Sequence, residues 1–498
     1  MATNILHTTQ SRVFLTLSKS GPGIRPAYQD CMVLGTITQS FGDREPIYCQ
    51  DPFRIGRFKT IGFTESPAEP AESSLNARYP FDARSPLVQA ARAGAPVDLH
   101  VHMGAIGSNP QIFSTWSKKI VFEGVRFSSL DVDEIGAHDE DTVVGHEVSF
   151  TADSWYEIMP QSFSERAVGV SSGAIRGVHL FYNGRLDLPP RERILAMAVT
   201  GSGGGSPGTS PDFLFSLDEG TTWRALDVNT IGSANNANDV AVIGDYVVII
   251  GGGASTYGMH ITRWDGLNPV TTPSWTRVST GFAASAVLNA MSVIGSVGFI
   301  AANGGYVYKV TDAPSGAEVM TAGTISAQNL NAISAFDENT IVAVGASNTV
   351  LVCLDGENFS AVTGPSVGVA LTAVAVLSEN VFLVGTADGH LFYTTDAGVS
   401  WTEKSFQGAG ASGAVVNDLD FGSSMIGYMA FEATGVASLL MTTDAGYSWD
   451  VVPSGGVLAY STGYTRVASF MEDPNVVIAG GPNDDDTTGS ILMGEPIS

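Results

Sequence analysis

The chain has 498 residues, of which 15% are charged and 57 are glycine, a composition that suits β-structure with many tight turns and argues against coiled coils and disorder. The length predicts two or three domains. Fifty acidic and 24 basic residues leave a net charge of -26, which argues against tight binding of nucleic acid through its phosphates.

The cysteines and the first residues bear on the compartment. Cys31, Cys49 and Cys353 are odd in number and have no CxxC spacing, so neither a disulfide framework nor a zinc site is indicated. The start, MATNILHTTQSRVF, lacks the apolar run of a secretory signal, and no apolar run approaches the roughly 20 residues that a membrane helix needs. We therefore expect a soluble protein that is made in a reducing compartment and does not insert into a membrane.

Residues 1–165 contain no repeat and are predicted to form a first domain. Residues 40–80 are rich in Pro, Glu and Ser with weak periodicity, which predicts an extended arm or loop. Residues 85–94, SPLVQAARAG, predict a short helix ended by Gly94. Alternating apolar residues predict strands in three later stretches: 97–105, 119–137 and 145–160.

The order of these elements carries a family resemblance. A helix leads to DLHVHMGA, then to a polar turn with Asn109 and Pro110, the strand IVFEGVRF, an acidic loop and EVSFTADSWYEI. Over residues 85–160 this order resembles the tail tube proteins of long-tailed bacteriophages. The resemblance implies a β-sandwich or barrel-like domain with one short helix, stacked hexameric rings, and a lumen through which DNA passes without tight binding. In such families further domains often follow the tube domain and project outward.

From about residue 190 the chain repeats a pattern of short strands and polar turns. Units begin at 194, 237, 288, 330, 371, 416 and 466, and a spacing of about 40–50 residues is that of a four-stranded propeller blade. We therefore predict that residues 166–498 form a β-propeller of about seven blades. Residues 173–189 have the pattern of extra strands and are expected to close the ring with the C-terminal strands, because the last unit is short.

Three octapeptides recur in this region, SLDEGTTW at 216–223, TTDAGVSW at 394–401 and TTDAGYSW at 442–449. An Asp side chain accepts hydrogen bonds from its own loop, Gly permits positive φ, and Trp buries a large apolar area. The pattern resembles the Asp-box (BNR) repeat of β-propellers, which implies a structural turn on the outer rim, between the third and fourth strands of a blade. The residues expected to have this structural role are Ser216, Asp218, Gly220, Trp223, Thr394, Asp396, Gly398, Trp401, Thr442, Asp444, Gly446 and Trp449.

Two further stretches are candidate variants of the octapeptide. RWDGLNPVTTPSW at 263–275 has the spacing of an expanded copy, and CLDGENF at 353–359 that of a degenerate one.

Asp-box propellers include sialidases, so glycoside cleavage is an alternative. That activity implies an arginine triad, a Tyr/Glu pair, an acidic Asp and an Arg-Ile-Pro motif, whereas the repeated region has scattered arginines and no such motif. These arginines are Arg193, Arg224, Arg263, Arg277 and Arg466. Another glycosidase would need two carboxylates, and nothing in the pattern selects a pair among Glu357, Asp388 and Asp420. We expect no catalytic residues.

His100 and His102 alternate on one predicted strand, so they share a face at a spacing that could ligate a metal. His138 and His146 are the candidates for a third ligand. The simpler interpretation is that both histidines are polar residues of a sheet face or a subunit contact. We therefore expect no metal.

Three polar stretches have similar alternatives. The acidic runs 131–141 and 483–489 lack the carboxylate spacing of an EF-hand and are expected to be solvated loops, although 131–141 could also line a DNA-repelling lumen. The Gly-rich stretch 201–211 lacks the G-x-G-x-x-G order and precedes a strand, so a flexible loop is expected rather than a phosphate site. No cofactor is expected.

Taken together, these patterns predict a mostly β protein, a tube-like domain followed by an Asp-box β-propeller. The expected function is that of a virion structural protein: a tail tube subunit, not an enzyme, made in the host cytoplasm and located in the tail. Its expected partners are copies of itself, other virion tail proteins, passing genomic DNA and host surface glycans. The alternatives are a glycan-binding or glycan-cleaving propeller with an N-terminal attachment domain and, ranked third, an assembly factor of the Asp-box propeller kind.

Overall fold

The computed structural model divides the chain into two compact units, Met1–Pro160 and Gln161–Ser498. Within the described residues, regular structure is strand apart from helical residues 92–93 and the single-turn 3-10 helices Trp264–Gly266, Asn303–Gly305, Ala313–Ser315 and Ala346–Asn348. No helix in these residues is both long and apolar enough to cross a membrane. The described residues are 12–16, 28–38, 46–50, 58–63, 72–78, 92–94, 96–103, 118–132, 145–152, 154–158, 161–166, 175–182, 194–201, 212–218, 220, 222–228, 230–231, 235–251, 256–267, 273–323, 325–365, 368–406, 408–423, 425–433, 439–452, 466–469, 477–482 and 489–496.

The first unit contains an antiparallel sheet whose pairing closes on itself. Its strands are β1 (Arg12–Thr16), β2 (Tyr28–Thr38), β5 (Glu72–Arg78), β6 (Val97–Met103), β7 (Lys118–Val132), β8 (Gly145–Thr151) and β9 (Ser154–Ile158). The order is β6-β1-β2-β5-β8-β7-β9, and β6 also pairs with β7. Strands β3 (Pro46–Gln50) and β4 (Phe58–Phe63) form a separate two-stranded sheet within the predicted arm.

Strand β7 makes the closure possible because it is 15 residues long and pairs with different strands along its length. Its first half pairs with β6 and β9, and its second half with β8. Gly124, at a φ of 62°, lies between the halves. Its N–H donates to the buried Asp98 carboxylate at 2.9 Å, so both of these polar groups have a partner inside the core.

The core of the first unit lies between β6, β7 and β8. Leu99 and Phe122 are buried, and the Phe122 and Phe150 rings meet edge to face at 5.2 Å, a preferred aromatic geometry. Strands β6 to β9 occupy the stretches predicted as strands. Of the predicted helix, residues 92–93 are helical and Gly94 has a φ of 64°, while 85–91 lie outside the described residues.

The second unit consists of seven four-stranded antiparallel sheets among the described residues. Because each is built mainly from consecutive strands, with the first strand innermost, they are called blades 1 to 7. Their strands are, in order, β11–β14 (Ile175–Tyr182, Ile194–Thr200, Asp212–Ser216, Arg224–Asp227), β15–β18 (Ala237–Ile243, Tyr246–Gly251, Met259–Arg263, Thr276–Val278), β19–β22 (Leu288–Ile294, Val297–Ala302, Tyr306–Asp312, Gly316–Ala322), β23–β26 (Leu330–Ala335, Ile341–Gly345, Thr349–Cys353, Phe359–Thr363), β27–β30 (Leu371–Ser378, Val381–Thr386, Leu391–Thr394, Thr402–Lys404), β31–β34 (Val415–Phe421, Gly427–Glu432, Leu439–Thr442, Asp450–Val451), and β35–β37 with β10 (Arg466–Ser469, Val477–Pro482, Gly489–Pro496, Gln161–Arg166).

The core of this unit lies between neighbouring blades. One cluster joins Ile250 of blade 2 to Ile300 of blade 3, and another joins Val342 of blade 4 to Val384 of blade 5. The second strand of a blade is covered on both faces, so it is mostly apolar; β20 and β28, for example, are buried at every position. Both faces of each sheet are therefore apolar, as packing between blades requires.

The ring closes differently from the sequence prediction. Residues 161–166 (β10) pair with β37 from Gln161↔Pro496 to Arg166↔Ile491 and complete blade 7, whereas β11, within the predicted closing segment 173–189, is the innermost strand of blade 1. The unit predicted to begin at 194 therefore begins one strand earlier. The pattern of 173–189 marks a strand but not its place in a blade, and QSFSER at 161–166 alternates weakly, as polar edge strands do.

Candidate functional site

The loop at 394–401 connects the third and fourth strands of blade 5 and is held by its own side chains. The Thr394 hydroxyl donates to Asp396 Oδ1 at 2.8 Å and accepts from the Gly398 N–H at 3.0 Å. Asp396 Oδ1 accepts from the Ser400 N–H at 2.8 Å, and Oδ2 from the Ser400 hydroxyl at 2.6 Å. Both carboxylate oxygens are thus used within the loop.

The other two octapeptides lie at the same place in blades 1 and 6 and repeat these bonds. Asp218 accepts from Ser216 and Thr222, and Asp444 from Thr442 and Ser448, at 2.6–2.9 Å. The glycines have positive φ values of 77°, 87° and 83° at Gly220, Gly398 and Gly446, a conformation that glycine adopts at little cost.

The three tryptophans complete the loops in two ways. The indole N–H groups of Trp223 and Trp449 donate to the carbonyls of Gly220 and Gly446 in their own loops, at 3.0 and 3.2 Å. Trp401 instead donates across to the Thr363 carbonyl of blade 4 at 2.9 Å. One octapeptide therefore also joins two blades.

Hydrogen bonds favour the ionised form of two of these carboxylates, those of Asp396 and Asp218. Hydrogen bonds from the Ser400 hydroxyl, the Ser400 N–H and Thr394 lower the pKa of Asp396. Burial opposes this effect at Asp218, but bonds from Thr222 and Ser216 lower its pKa as well. A carboxylate whose acceptor sites are filled locally is a poor base or nucleophile, so the geometry fits a structural turn.

The two candidate variants of the octapeptide differ from each other. Asp355, in the loop at 353–359, accepts from the Glu357 and Asn358 N–H groups at 2.9 and 2.7 Å, much as the full octapeptides do. Asp265, in the stretch 263–275, instead pairs with the Arg263 guanidinium at 2.9 and 3.0 Å.

The innermost strands of neighbouring blades are joined by side chains that the sequence analysis did not single out. In six blades the register shifts near the start of this strand, between two residues that are two positions apart, such as Leu288 and Ala290. In four of them the residue between donates to a carbonyl of the next blade, at 2.6–2.8 Å, and these four are called the clasp layer. The pairs are Asn238 to Leu288, Asn289 to Leu330, Asn331 to Leu371 and Thr372 to Val416.

A second set of bonds follows one to three residues later. Asp239 Oδ2 accepts from the Met291 N–H at 2.8 Å, and Asp418 Oδ2 from the Val467 N–H at 3.1 Å. Ser292, Ser334 and Asp420 accept in the same way from Ala335, Val376 and Ser469. From blade 2 to blade 5 these bonds join strand positions that differ by one, and the two bonds from blade 6 to blade 7 both span 49 residues. The inner strands of these neighbouring blades therefore run parallel and in register, and equivalent residues form layers around an axis.

The inner strands enclose an axial channel with a cavity volume of about 550 Å³. Four charged side chains line it, and these are called the charged layer: Asp239, Asp418, Asp420 and Arg466. They come from blades 2, 6 and 7. In blade 1, between blades 7 and 2, the residue equivalent to Asp239 is Gly177, where a Cβ would lie 2.6 Å from the Asp239 Cα. Glycine there leaves room for the aspartate.

The opposite side of the channel is neutral and small. The positions equivalent to Asp239 in blades 3, 4 and 5 are Ala290, Ala332 and Ala373, which follow the clasp residues Asn289, Asn331 and Thr372. Both Ala290 and Ala332 line the channel. The charges are therefore gathered on one side.

Burial raises the pKa values of the axial carboxylates. It raises that of Asp418 to about 7, with Asp420 and Asp239 adding repulsion while Arg466 and the Val467 N–H oppose. Burial also raises the pKa of Asp239 to about 6, although the positive charge of Arg466 acts in the opposite direction. The pKa of Asp420 is raised by burial as well. Although partly exposed to the channel, these groups are largely surrounded by protein, so their charged forms are poorly solvated.

Further along the axis the channel becomes apolar. Five residues beyond the clasp residues lie Ile294, Phe336 and Leu377, and blade 1 places Phe181 at the equivalent position; these four are called the apolar layer. Phe336 is 46% exposed. The channel thus has a charged layer and an apolar layer at different depths.

The structure brings few of the sequence candidates together. Of Glu357, Asp388 and Asp420, Asp420 lines the channel, whereas Glu357 is exposed and Asp388 accepts from Thr386. Of the five arginines considered for a sialidase triad, Arg466 lines the channel.

The predicted metal and loop candidates fall partly outside the described residues. His100 is fully buried in β6, while the side chains of His102 and His146, residue His138, and most of 131–141, 201–211 and 483–489 are not described. In the part of the chain that the structure describes, no three His, Cys, Asp or Glu side chains are grouped to hold a metal.

Comparison with known proteins bears on the fold. No protein-family model matches the sequence, and no curated protein matches it. A solved structure of YCF48 bound to D1 peptide is 13% identical over 68% of this chain and 96% of that one, with a TM-score of 0.50. YCF48 from Cyanidioschyzon merolae (13% identity, 67% and 99% covered) and the RRP9 WD40 repeats (9%, 68% and 99%) have TM-scores of 0.48. The likeness to the first supports a β-propeller in the second unit, as predicted.

Proposed function

We propose that this chain is a structural protein of a bacteriophage tail. In this proposal the first unit stacks as hexameric rings around the passing genome, and the propeller is displayed outside, where it stabilises the tail or touches host surface glycans. The observation that carries the proposal is the arrangement of the first unit, a self-closing antiparallel sheet with a separate β-hairpin.

The hairpin is the element best suited to contact a neighbouring subunit. Pairing uses both edges of β1, β2 and β5 in the closed sheet, whereas β3 and β4 pair only with each other in the described part of the chain. Strands with unpaired edges are templates for pairing with another chain. The hairpin lies within 40–80, the stretch predicted to be an extended arm or loop, and we propose that this arm takes part in assembly.

Two further features support the proposal: the charge of the first unit and the three octapeptide loops between the third and fourth strands of their blades, which are called the rim loops. Residues 1–160 contain 19 acidic and 13 basic residues, a net charge of -6, which disfavours adhesion of passing DNA to this unit. We propose that the three octapeptides are Asp-box turns with a structural role, because their carboxylates are satisfied by their own loops. No cofactor or enzymatic activity is part of this proposal.

Negative-stain electron microscopy of the full chain tests the proposal. We expect sixfold rings or tubes, and a variant with residues 46–63 replaced by a Gly/Ser linker should stay monomeric. The exposed rim substitution Glu357→Gln is the control and should still assemble. A wild-type chain that stays monomeric at high concentration, or a linker variant that assembles normally, would contradict the proposal.

A further inference from the structure

We infer that the axial channel of the propeller binds a small organic ammonium ion that carries an apolar group. The inference rests on the charged layer, which faces the neutral wall formed by Ala290 and Ala332, and on the apolar layer further along the same channel. It does not depend on the proposed role in a phage tail.

The charged layer has an excess of negative charge when its carboxylates are ionised. Asp239, Asp418 and Asp420 carry three negative charges, and Arg466 carries one positive charge. Arg176 of blade 1 lies near enough to Arg466 for that charge to lower the pKa of Arg176. With both arginines counted, the net charge is -1. His179 also lines the channel, but burial lowers its pKa to about 4, so it adds no positive charge near neutral pH. A monovalent cation therefore neutralises the layer.

The carboxylates are fixed in place yet retain acceptor capacity. Asp239 accepts from the Val240 N–H at 2.9 Å through Oδ1 and from the Met291 N–H at 2.8 Å through Oδ2. Asp418 is held in the same way by Leu419 and Val467, at 3.0 and 3.1 Å. A carboxylate has about four lone-pair sites, so each can accept further bonds from an ammonium group without losing its backbone partners.

The neutral wall and the apolar layer set the size and character of the ligand. Because Ala290 and Ala332 face the charges, the cavity of about 550 Å³ stays open, within the range of about 300–1,000 Å³ that small-molecule sites have. Phe336 follows Ala332 by four residues, which is about 13 Å along a strand. A ligand with its ammonium group among the carboxylates would extend its apolar group toward this layer.

Phenethylamine is a suitable probe, since it carries an ammonium group on a short apolar body. Two matched compounds change only the charged group: 2-phenylethanol is neutral and 3-phenylpropionate is anionic. Calorimetric titration of the full chain at pH 8 should give an affinity for the amine at least about tenfold above that for either other compound, as loss of a charge-assisted bond implies. Equal binding of the alcohol or acid, or no binding of millimolar amine, would overturn the inference.

Variants and pH locate the binding. Asp418→Asn and Asp239→Asn should each weaken amine binding at least about fivefold, while Glu357→Gln, which removes an exposed negative charge outside the channel, should not. An equal loss in Glu357→Gln would show nonspecific attraction and refute the site. In the wild type, affinity should fall about tenfold from pH 8 to pH 5.5, because the carboxylates become protonated. This comparison needs no variant, and an affinity independent of pH would contradict the inference even if a variant did not fold.

Discussion

The rim loops and the axial channel use aspartate in opposite ways. Asp396 of the rim receives a hydroxyl and an N–H from a residue four positions away, and its pKa is lowered. Asp418 of the channel receives N–H donors too, but burial and neighbouring carboxylates dominate and its pKa is raised. The comparison shows that hydrogen bonds alone do not set the charge of a carboxylate; the balance between donors and lost solvation does.

The largest expected effect comes from the buried rim aspartate. Asp444→Ala leaves the Ser448 N–H and hydroxyl and the Thr442 hydroxyl without their acceptor, and the site has 0% exposure, so we expect a loss of about 3 kcal/mol in unfolding free energy. Asp396→Ala removes the same bonds at a partly exposed site, where water can replace them, and should cost less. Urea unfolding followed by tryptophan fluorescence measures both, and equal losses would contradict the role given to burial.

Next in size is the axial carboxylate, whose substitution should stabilise the protein. The folded-state pKa of Asp418, raised to about 7, lies above the value of about 3.9 for an unfolded chain. The ionised group therefore destabilises the fold above pH 7, and stability rises as pH falls from about 7 to about 4. Asp418→Asn should raise the unfolding free energy by about 2 kcal/mol at pH 8, roughly half of what the two pKa values imply for a dry site, because the carboxylate is partly exposed to the channel. It should have little effect at pH 4.5.

The rim provides the matched control for this pH dependence. Because the pKa of Asp396 is lowered, its stabilising effect is present above about pH 3.9 and is lost as pH falls further. Asp396→Asn should therefore be destabilised at pH 8, opposite in sign to Asp418→Asn. Thermal unfolding of both variants at pH 8 and pH 4.5 measures the difference, and a shared sign at pH 8 would contradict the contrast between the two regions.

The sequence predicted what is local and repeated. The octapeptide bonds lie within eight residues, and blade starts at 237, 288, 330 and 371 coincide with first strands. The clasp layer also leaves a pattern in the sequence, because four of the inner strands have an Asn or Thr as their second residue. This pattern becomes visible only when the blades are aligned.

The charged layer could not be predicted in this way. Asp239, Asp418 and Arg466 are brought together by the closure of the ring, and the turns of the chain contain many similar aspartates. Closure itself was assigned to the wrong strand because β11 has the clearer strand pattern and β10 a weak one, and neither pattern shows the place of its strand in a blade. Which residues meet at the axis depends on blade number and register, which are set by packing between blades.

The smallest expected effect compares the two regions at one interface, between blades 4 and 5. Asn331 joins them near the axis through the Leu371 carbonyl at 2.8 Å, and Trp401 joins them at the rim through the Thr363 carbonyl at 2.9 Å. Asn331→Ala and Trp401→Phe should each cost about 1 kcal/mol, the worth of one hydrogen bond. The two clasps share no partner, so the double variant should lose the sum to within about 0.5 kcal/mol. Urea unfolding of both single variants and the double variant measures the coupling energy in a double-mutant cycle. A larger coupling would mean that blades 4 and 5 move as rigid bodies when one of the two hydrogen bonds is lost. Rim and axis would then form one cooperative element.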